Sequence, residues 1–204
     1  MGKLTFELGE TIPSGAEEVT ASKRLSSRIS LMIRAAKLIA DNREYLCLVR
    51  NVSVGGLNVQ IFHDLPKHES LAVEFDNGET RAVNLRWQSG DRLGCEFLFP
   101  LEDPAIVVEQ SGLQYRRRPR LQVTHDAELH AGGRCIPVVL RDISQQGAGI
   151  DSDTLLMLGE LVRIKSEVLP SLFARVRWRS HPRYGLVLEK VFSMAELAKL
   201  CRDL

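Results

Sequence analysis

Short segments in which hydrophobic and polar residues alternate recur along the chain, and this spacing predicts β-strands rather than helices. Residues 45–50 alternate in this way. Residues 71–75 lead through Asp76-Asn77-Gly78 into residues 81–87, which predicts a hairpin closed by an Asn-Gly turn. A further strand is expected over residues 93–99. The first half of the chain is therefore expected to be mainly β.

The second half of the chain repeats this arrangement. Predicted strands there cover residues 138–143, 161–164, 172–178 and 184–188. Many short strands at such spacing indicate a β-sandwich or a β-barrel. Each half is expected to end in a short helix. The weaker candidate covers residues 101–110, and the stronger one follows Ser193, which lies three residues before Glu196 as in a capping box.

The two halves also match residue by residue at an offset of 91 positions. The matched positions are Arg86-Trp87 with Arg177-Trp178, Gly94 with Gly185, and residues 45–49 with residues 136–140. Each copy has the size of a domain with its own core. We therefore predict a lead-in over residues 1–20, a first domain over residues 21–112 and a second domain over residues 113–204.

A polar signature occurs once in each copy. It is Arg24-x-x-x-Arg28 with Asn51-x-Ser53-x-x-Gly56 in the first copy, and Arg116-x-x-x-Arg120 with Asp142-x-Ser144-x-x-Gly147 in the second. The second arginine precedes the Asn or Asp by 23 residues in one copy and by 22 in the other. Either half of the signature alone is a common surface or turn pattern. Their joint recurrence at a matching interval indicates a site.

The residue types in this signature suit a guanine nucleotide. An arginine guanidinium can bind phosphate oxygens or the O6/N7 edge of guanine, and its flat face can stack on a purine. A carboxylate such as that of Asp142 accepts from the N–H groups of guanine, and the Ser144 hydroxyl is adaptable. Gly56 and Gly147 are expected to supply backbone freedom at positive φ and close approach to a ligand.

Arg116-Arg117-Arg118-Pro119-Arg120 followed by Asp142-Ile143-Ser144-Gln145-Gln146-Gly147 resembles the PilZ domain, a small β-barrel that receives the bacterial second messenger cyclic di-GMP. The resemblance implies two six-stranded antiparallel β-barrels in tandem, each with a short C-terminal helix. It implies that the arginine segment before the first strand folds over the barrel and traps cyclic di-GMP, with no other cofactor. The implied contacts are Arg116, Arg117, Arg120, Asp142, Ser144 and Gly147, with Arg24, Arg28, Asn51, Ser53 and Gly56 as a secondary site.

Charge separates the two copies. Residues 1–112 hold 12 Lys/Arg against 16 Asp/Glu, a balance of −4, whereas residues 113–204 hold 15 against 10, a balance of +5. A basic domain attracts a dianionic ligand. In addition, the neutral amide of Asn51 makes weaker hydrogen bonds than the carboxylate of Asp142. The second domain is therefore predicted to hold the stronger site.

Composition excludes several classes of protein. With 44% hydrophobic and 26% charged residues, the chain has no apolar run long enough to span a bilayer and no secretory signal pattern, so we expect a cytoplasmic protein. Its four cysteines form no C-x-x-C pair. On a strand, Asp126, Glu128 and His130 would share a face and His125 would point away, which favours a solvated face over a metal site.

Three functional interpretations remain open. The first is a receptor that changes the arrangement of its domains on binding cyclic di-GMP and signals to a bacterial protein partner. The second is a nucleotide-independent adaptor for a motility or secretion component. The third is a nucleic-acid binder, which is disfavoured because the aromatic residues of the basic half form no interleaved stacking series. An enzyme is not expected, because Ser53 and Ser144 lack the motif of a hydrolase nucleophile.

Overall fold

The computed structural model describes residues 29–105, 118–202 and 204. The first half contains β1 Ile29–Ala40, β2 Arg43–Ser53, β3 Gly56–Ile61, β4 Leu71–Glu74, β5 Thr80–Ser89 and β6 Arg92–Phe97. The second half contains β7 Leu121–Ala131, β8 Arg134–Ile143, β9 Gly147–Asp151, β10 Leu161–Lys165, β11 Leu172–Ser180 and β12 Arg183–Leu188. One helix, α1 Met194–Cys201, lies within the described residues.

Each set of six strands closes into an antiparallel barrel. The strand order is β1-β2-β3-β6-β5-β4 in the first barrel and β10-β11-β12-β9-β8-β7 in the second, which is the same cyclic order. The matched residues of the repeat occupy equivalent strands, with Asn51 on β2 and Asp142 on β8, and Trp87 on β5 and Trp178 on β11. The predicted pair of six-stranded antiparallel barrels is confirmed.

Alternating side chains fill the two cores, as the sequence pattern predicted. Strand β10 alternates between exposed and buried residues along its whole length. In β2, by contrast, the consecutive residues Tyr45, Leu46 and Cys47 are all buried. Tyr45 and Cys47 belong to the first core, while Leu46 is buried in the core cluster of the second barrel. A strand that is buried on both faces loses its alternation because each face packs against a different barrel.

The tight turns follow the predicted chemistry. Gly78 has φ of 86° and its N–H donates to the Phe75 carbonyl at 3.0 Å, which closes the β4–β5 hairpin. The β7–β8 hairpin turns through Gly132 and Gly133, with φ of 54° and 76°. Two successive residues at positive φ give the turn whose twist matches the flanking strands, and glycine adopts that conformation at little steric cost.

The predicted C-terminal helix of the second domain is confirmed. The Glu196 N–H donates to Ser193 Oγ at 3.2 Å and the Ser193 N–H donates to Glu196 Oε2 at 2.8 Å, so both halves of the capping box form. For the first domain, residues 101–105 form turns and no helix. Residues 106–110 of that expected helix, the expected domain boundary after residue 112 and the lead-in over residues 1–20 lie outside the described residues.

The two barrels touch through β2, which contacts β7 and the C-terminal helix of the second barrel. The Gln122 N–H at the start of β7 donates to Glu44 Oε2 at 2.7 Å. Lys37, only 7% exposed, lies 2.9 Å from both Glu44 Oε1 and Glu74 Oε1. Burial lowers the pKa of Lys37, but hydrogen bonds to these two carboxylates outweigh it and leave the pKa raised. An ion-paired lysine thus holds Glu44 in place as an acceptor for the second domain.

Candidate functional site

Asp142 lies near the end of β8, where β7 and β9 flank it. Its backbone pairs with Gln122 on one side and with Gly149 on the other. The side chain is 11% exposed, yet both carboxylate oxygens have cationic donors. Arg120 donates through Nη1 to Oδ1, and Arg183 donates through Nη2 to Oδ2 at 2.9 Å. Two guanidinium groups therefore compensate the cost of burying this carboxylate.

Gly149 makes room for the Asp142 side chain, and the sequence signature did not include it. A Cβ at residue 149 would lie 2.2 Å from Asp142 Oδ2, a distance that real Cβ contacts do not reach. The carboxylate therefore rests directly on the backbone of β9. The sequence contains one indication of this position, because Gly149 follows the predicted contact Gly147 by only two residues.

Ser144 and Gly147 close a turn between β8 and β9. The Ser144 N–H and Oγ both donate to the Gly147 carbonyl, at 2.8 and 3.2 Å. The expected positive φ at Gly147 and Gly56 is wrong, because neither residue is in that region. Glycine is needed instead because the neighbouring strand is close: a Cβ would lie 2.7 Å from the Leu186 carbonyl oxygen at Gly147 and 2.2 Å from that of Cys95 at Gly56.

An open cleft of about 860 Å³ lies beside this turn. It is large enough for a dinucleotide, since ligand pockets typically measure about 300–1,000 Å³. Its lining is Arg118, Arg120, Ser144, Gln146, Gly147, Leu186, Val187, Leu188 and Val191. The structure thus places three of the predicted contacts, Arg120, Ser144 and Gly147, around one cleft, and Asp142 contacts Arg120. Arg116 and Arg117 lie outside the described residues.

The first barrel forms a smaller counterpart of this site. A cleft of about 240 Å³ is lined by Asn51, Ser53 and Gly56 together with Trp87. Ser53 Oγ donates to the Gly56 carbonyl at 3.1 Å, as Ser144 does to Gly147. The position that corresponds to Gly149 is Asn58, which pairs with Asn51. The first barrel therefore has a side chain at the position where the second barrel has only the glycine backbone, against which the Asp142 carboxylate rests. Arg24 and Arg28 lie outside the described residues, directly before β1.

The comparison with known proteins agrees with this duplicated geometry. A family model for the PilZ domain matches residues 22–110 and, separately, residues 114–202. The chain belongs to the PilZ domain family. No curated protein sequence matches it.

Three similar solved structures each cover 83% or 84% of this chain. The Borreliella burgdorferi PlzA protein in complex with c-di-GMP is 16% identical over 84% of this chain and 87% of that chain, with a TM-score of 0.37. Bacillus subtilis MotI/DgrA, an inhibitor of motility, is 15% identical over 84% and 96%, with a TM-score of 0.36. Escherichia coli YcgR in complex with c-di-GMP is 13% identical over 83% and 81%, with a TM-score of 0.34.

In the second PilZ domain, Arg183 joins Asp142 to a second carboxylate. Arg183 Nε lies 3.6 Å from Asp151 Oδ1, and Arg141 Nε donates to Asp151 Oδ2 at 2.6 Å. In the first PilZ domain, Arg50 and Gln60 correspond to Arg141 and Asp151, and Arg50 Nε donates to Gln60 Oε1 at 3.1 Å. Arg183 was not predicted from the sequence, because it follows Asp142 by 41 residues and no local pattern marks it.

No helix in the described part of the chain has the length and hydrophobicity needed to cross a membrane.

Proposed function

We propose that the chain is a cyclic di-GMP receptor whose main site is the cleft of the second PilZ domain. The observation that carries the proposal is the buried Asp142 carboxylate, held between Arg120 and Arg183 next to a cleft that Arg118 and Arg120 line. This cluster offers cationic donors for phosphates and an acceptor for guanine at one place. The family match supports the same ligand class.

The two arginines that hold Asp142 have different parts in this proposal. Arg120 is half exposed and lines the cleft, so a phosphate can compete with Asp142 for its guanidinium. Arg183 lies on β12 and also bridges Asp151, so it stays on Asp142 when Arg120 leaves. Asp142 then remains neutralised by one cation and gains free lone pairs for the N1–H and N2–H₂ donors of guanine. Arg116 and Arg117 would add further donors from the preceding segment.

We propose that the first PilZ domain binds the ligand weakly. Its cleft is smaller, its acceptor is the neutral amide of Asn51, and Asn58 stands where the second domain has Gly149. Arg86 on its outer face donates to Glu96 at 2.7 Å, so this cation is already paired. Each difference removes either space or charge from the site.

The output of binding is a change in the arrangement of the two domains. Gln122, whose N–H is bound by Glu44 of the first domain, lies two residues after Arg120. A ligand phosphate that takes the Arg120 guanidinium away from Asp142 therefore acts on the same segment that Glu44 holds through Gln122. Because Arg118–Gln122 also border a second cleft against residues 74–78 of the first domain, movement of this segment changes contacts on both sides. A protein partner would respond to the resulting change in inter-domain angle.

Titration calorimetry tests the binding step. Cyclic di-GMP, GTP, GMP and a short oligonucleotide are titrated against the full chain and against Asp142→Ala, Arg120→Ala and the matched first-domain variant Asn51→Ala. Loss of one charge-assisted contact costs about 1.5–3 kcal/mol, so we expect about 10- to 100-fold weaker cyclic di-GMP binding for the second-domain variants. Equal losses for Asn51→Ala and Asp142→Ala would contradict our ranking of the domains.

Solution scattering and amide exchange test the output. With saturating cyclic di-GMP we expect altered scattering and altered exchange over residues 118–122, and Glu44→Gln should produce part of the change without ligand. Unchanged scattering and exchange at saturation would refute the switch while leaving the binding proposal intact. The nucleotide-independent adaptor is the alternative that remains if no nucleotide binds.

One surface favours nucleic acid as a second candidate ligand. Phe173 and Trp178 are 49% and 46% exposed on the outside of β11. Arg177 and Arg179 on the same strand and Arg163 on the neighbouring β10 are exposed too, and none of the three forms an ion pair within residues 29–105 and 118–202. Exposed arginines near two aromatic rings can hold a single strand by phosphate contacts and stacking. The oligonucleotide titration decides this: salt-dependent binding that Arg163→Ala/Arg177→Ala weakens would support it, and no binding would exclude it.

A further inference from the structure

The outer face of β7 and β8 in the second domain brings together a carboxylate, an imidazole and a thiol. Glu128 and His130 lie two residues apart on β7, and His130 pairs directly with Cys135 on β8. One ligand atom from each of these three side chains lies within 4.8 Å of the others. We propose that Glu128, His130 and Cys135 bind a transition metal ion of the Zn²⁺ class, with a further coordination position open to water.

The donor set selects this class of metal. Thiolate and imidazole ligands favour Zn²⁺ and similar ions over Mg²⁺ and Ca²⁺, which prefer oxygen ligands. With Zn–S near 2.3 Å and Zn–N near 2.05 Å, tetrahedral coordination places the S and N atoms about 3.6 Å apart. Since the S and N atoms lie within 4.8 Å of each other, they need to approach by about 1.2 Å at most, which side-chain rotation on the hairpin can provide.

His130 supplies an independent indication of a missing ligand. Its Nε2 atom is shielded from solvent and has no hydrogen-bond partner among the described residues. The nearest carboxylate oxygen, Glu128 Oε2, lies 3.4 Å away. Among the described residues this long contact is the only polar one recorded for the shielded Nε2 atom, so the atom is poorly satisfied, and a metal ion between it and Cys135 would satisfy it.

The corresponding face of the first domain contacts the second domain. At the 91-residue offset, Glu128, His130 and Cys135 correspond to Lys37, Ile39 and Glu44. Lys37 and Glu44 hold the junction with the second domain through ion pairing and the Gln122 contact. The second domain has Glu128 in place of the lysine and Cys135 in place of the glutamate. Its copy of the face is uncovered in the described structure and carries metal-binding residue types instead.

Two cations border the cluster and set its expected affinity. On the neighbouring strand β10, Arg163 pairs with His130 and Lys165 pairs with Glu128. Both repel a metal ion, and desolvation together with the neighbouring Glu128 raises the pKa of the Cys135 thiol, which also weakens metal binding. The pairing of β7 with β8 offsets part of this repulsion, because it already holds the ligand residues next to each other before a metal ion binds. We therefore expect binding at micromolar metal rather than the tighter binding of a closed structural zinc site.

Cobalt titration of the full chain provides the test, because thiolate coordination to Co²⁺ gives a charge-transfer absorption band that Zn²⁺ then abolishes. We expect one equivalent of Co²⁺ to produce the band, and Cys135→Ser and His130→Ala to weaken binding by at least about 100-fold, since even outer contacts of metal sites are worth about 10- to 100-fold. Glu128→Gln should weaken it as well. All variants are checked by circular dichroism, since exposed positions should leave the fold intact.

The matched controls are Asp126→Asn, an exposed carboxylate on the same strand, and Cys201→Ser, another free cysteine. Both should bind as the unaltered chain does. A second readout is alkylation, because Cys135 alone among the four cysteines is exposed and Zn²⁺ should protect it. The proposal is overturned if no band forms at micromolar Co²⁺, if the band survives Cys135→Ser, or if His130→Ala and Glu128→Gln leave it unchanged, which would indicate adventitious binding by a thiol.

Discussion

Replacing Gly149 with alanine should disable the second-domain site without touching a residue of the predicted signature. The new Cβ would lie 2.2 Å from Asp142 Oδ2 and 2.8 Å from its Cγ, so the carboxylate must move. Asp142 is the shared partner of Arg120 and Arg183, and the backbone of β9 is fixed by its pairing with β8 and β12. The side chain, rather than the strand, is therefore expected to yield.

The size of the effect follows from the contacts that are lost. Displacement that breaks one of the two charge-assisted contacts costs about 1.5–3 kcal/mol, and breaking a buried pair costs about 3–5 kcal/mol. We expect Gly149→Ala to lower the free energy of unfolding by about 2–4 kcal/mol and to weaken cyclic di-GMP binding by about 10- to 100-fold. Urea denaturation measures the first quantity and calorimetry the second.

Gly55→Ala is the matched control, because a Cβ at residue 55 would meet no atom of another segment within 4 Å and Gly55 has no positive φ. It should change neither quantity by more than about 0.5 kcal/mol. If Gly149→Ala bound cyclic di-GMP as tightly as the unaltered chain, then the position of Asp142 would not determine affinity. The proposed role of the Arg120–Asp142–Arg183 cluster would then be wrong.

Two further predictions concern the domain junction and the C-terminal helix. Leu46, which is 1% exposed, is buried at the junction between the domains. Because core Leu→Ala changes cost about 2–5 kcal/mol, Leu46→Ala should weaken the contact between the two domains, and solution scattering should show a less compact chain. Leu48→Ala, at a half-buried position on the same strand face, is the control and should have little effect. The hydrogen bond from the Ser193 N–H, followed by that from Lys190, lowers the pKa of Glu196 from 4.5 to about 2. This contribution to stability is present above pH 4.5 and is lost as the pH falls through 2, so Glu196→Gln should remove that part of the acid dependence in a pH series of urea denaturations.

Local chemistry made much of the architecture predictable. The Asn77-Gly78 turn and the Ser193–Glu196 capping box depend on residues within four positions of each other, and both form as expected. The repeat fixed the equivalence of the two barrels, because identical offsets in sequence become identical strands once each copy folds alike. The position of Asp142 at the end of its strand followed from the same comparison.

The predictions that failed or were missed depend on what a neighbouring strand does. The sequence suggested positive φ at Gly147, but the close Leu186 carbonyl is the actual reason for glycine there. Burial of Leu46 could not be inferred from alternation, because the second barrel covers the face that would otherwise be exposed. The pairing of His130 with Cys135 also depends on hairpin register, which the separate positions of these residues do not reveal.

The sequence by itself determined the duplication, the succession of short strands, the turns and caps, and the location of the paired Asp/Asn-Ser-Gly signature. These features are encoded by neighbouring residues and by a fixed offset, so they need no knowledge of distant contacts. Only the tertiary structure decided that Arg183 neutralises Asp142 from 41 residues away, that Gly149 leaves room for it, and that Glu44 binds the second domain. Barrel closure and domain packing bring these groups together, and their energies depend on distances that no local pattern specifies.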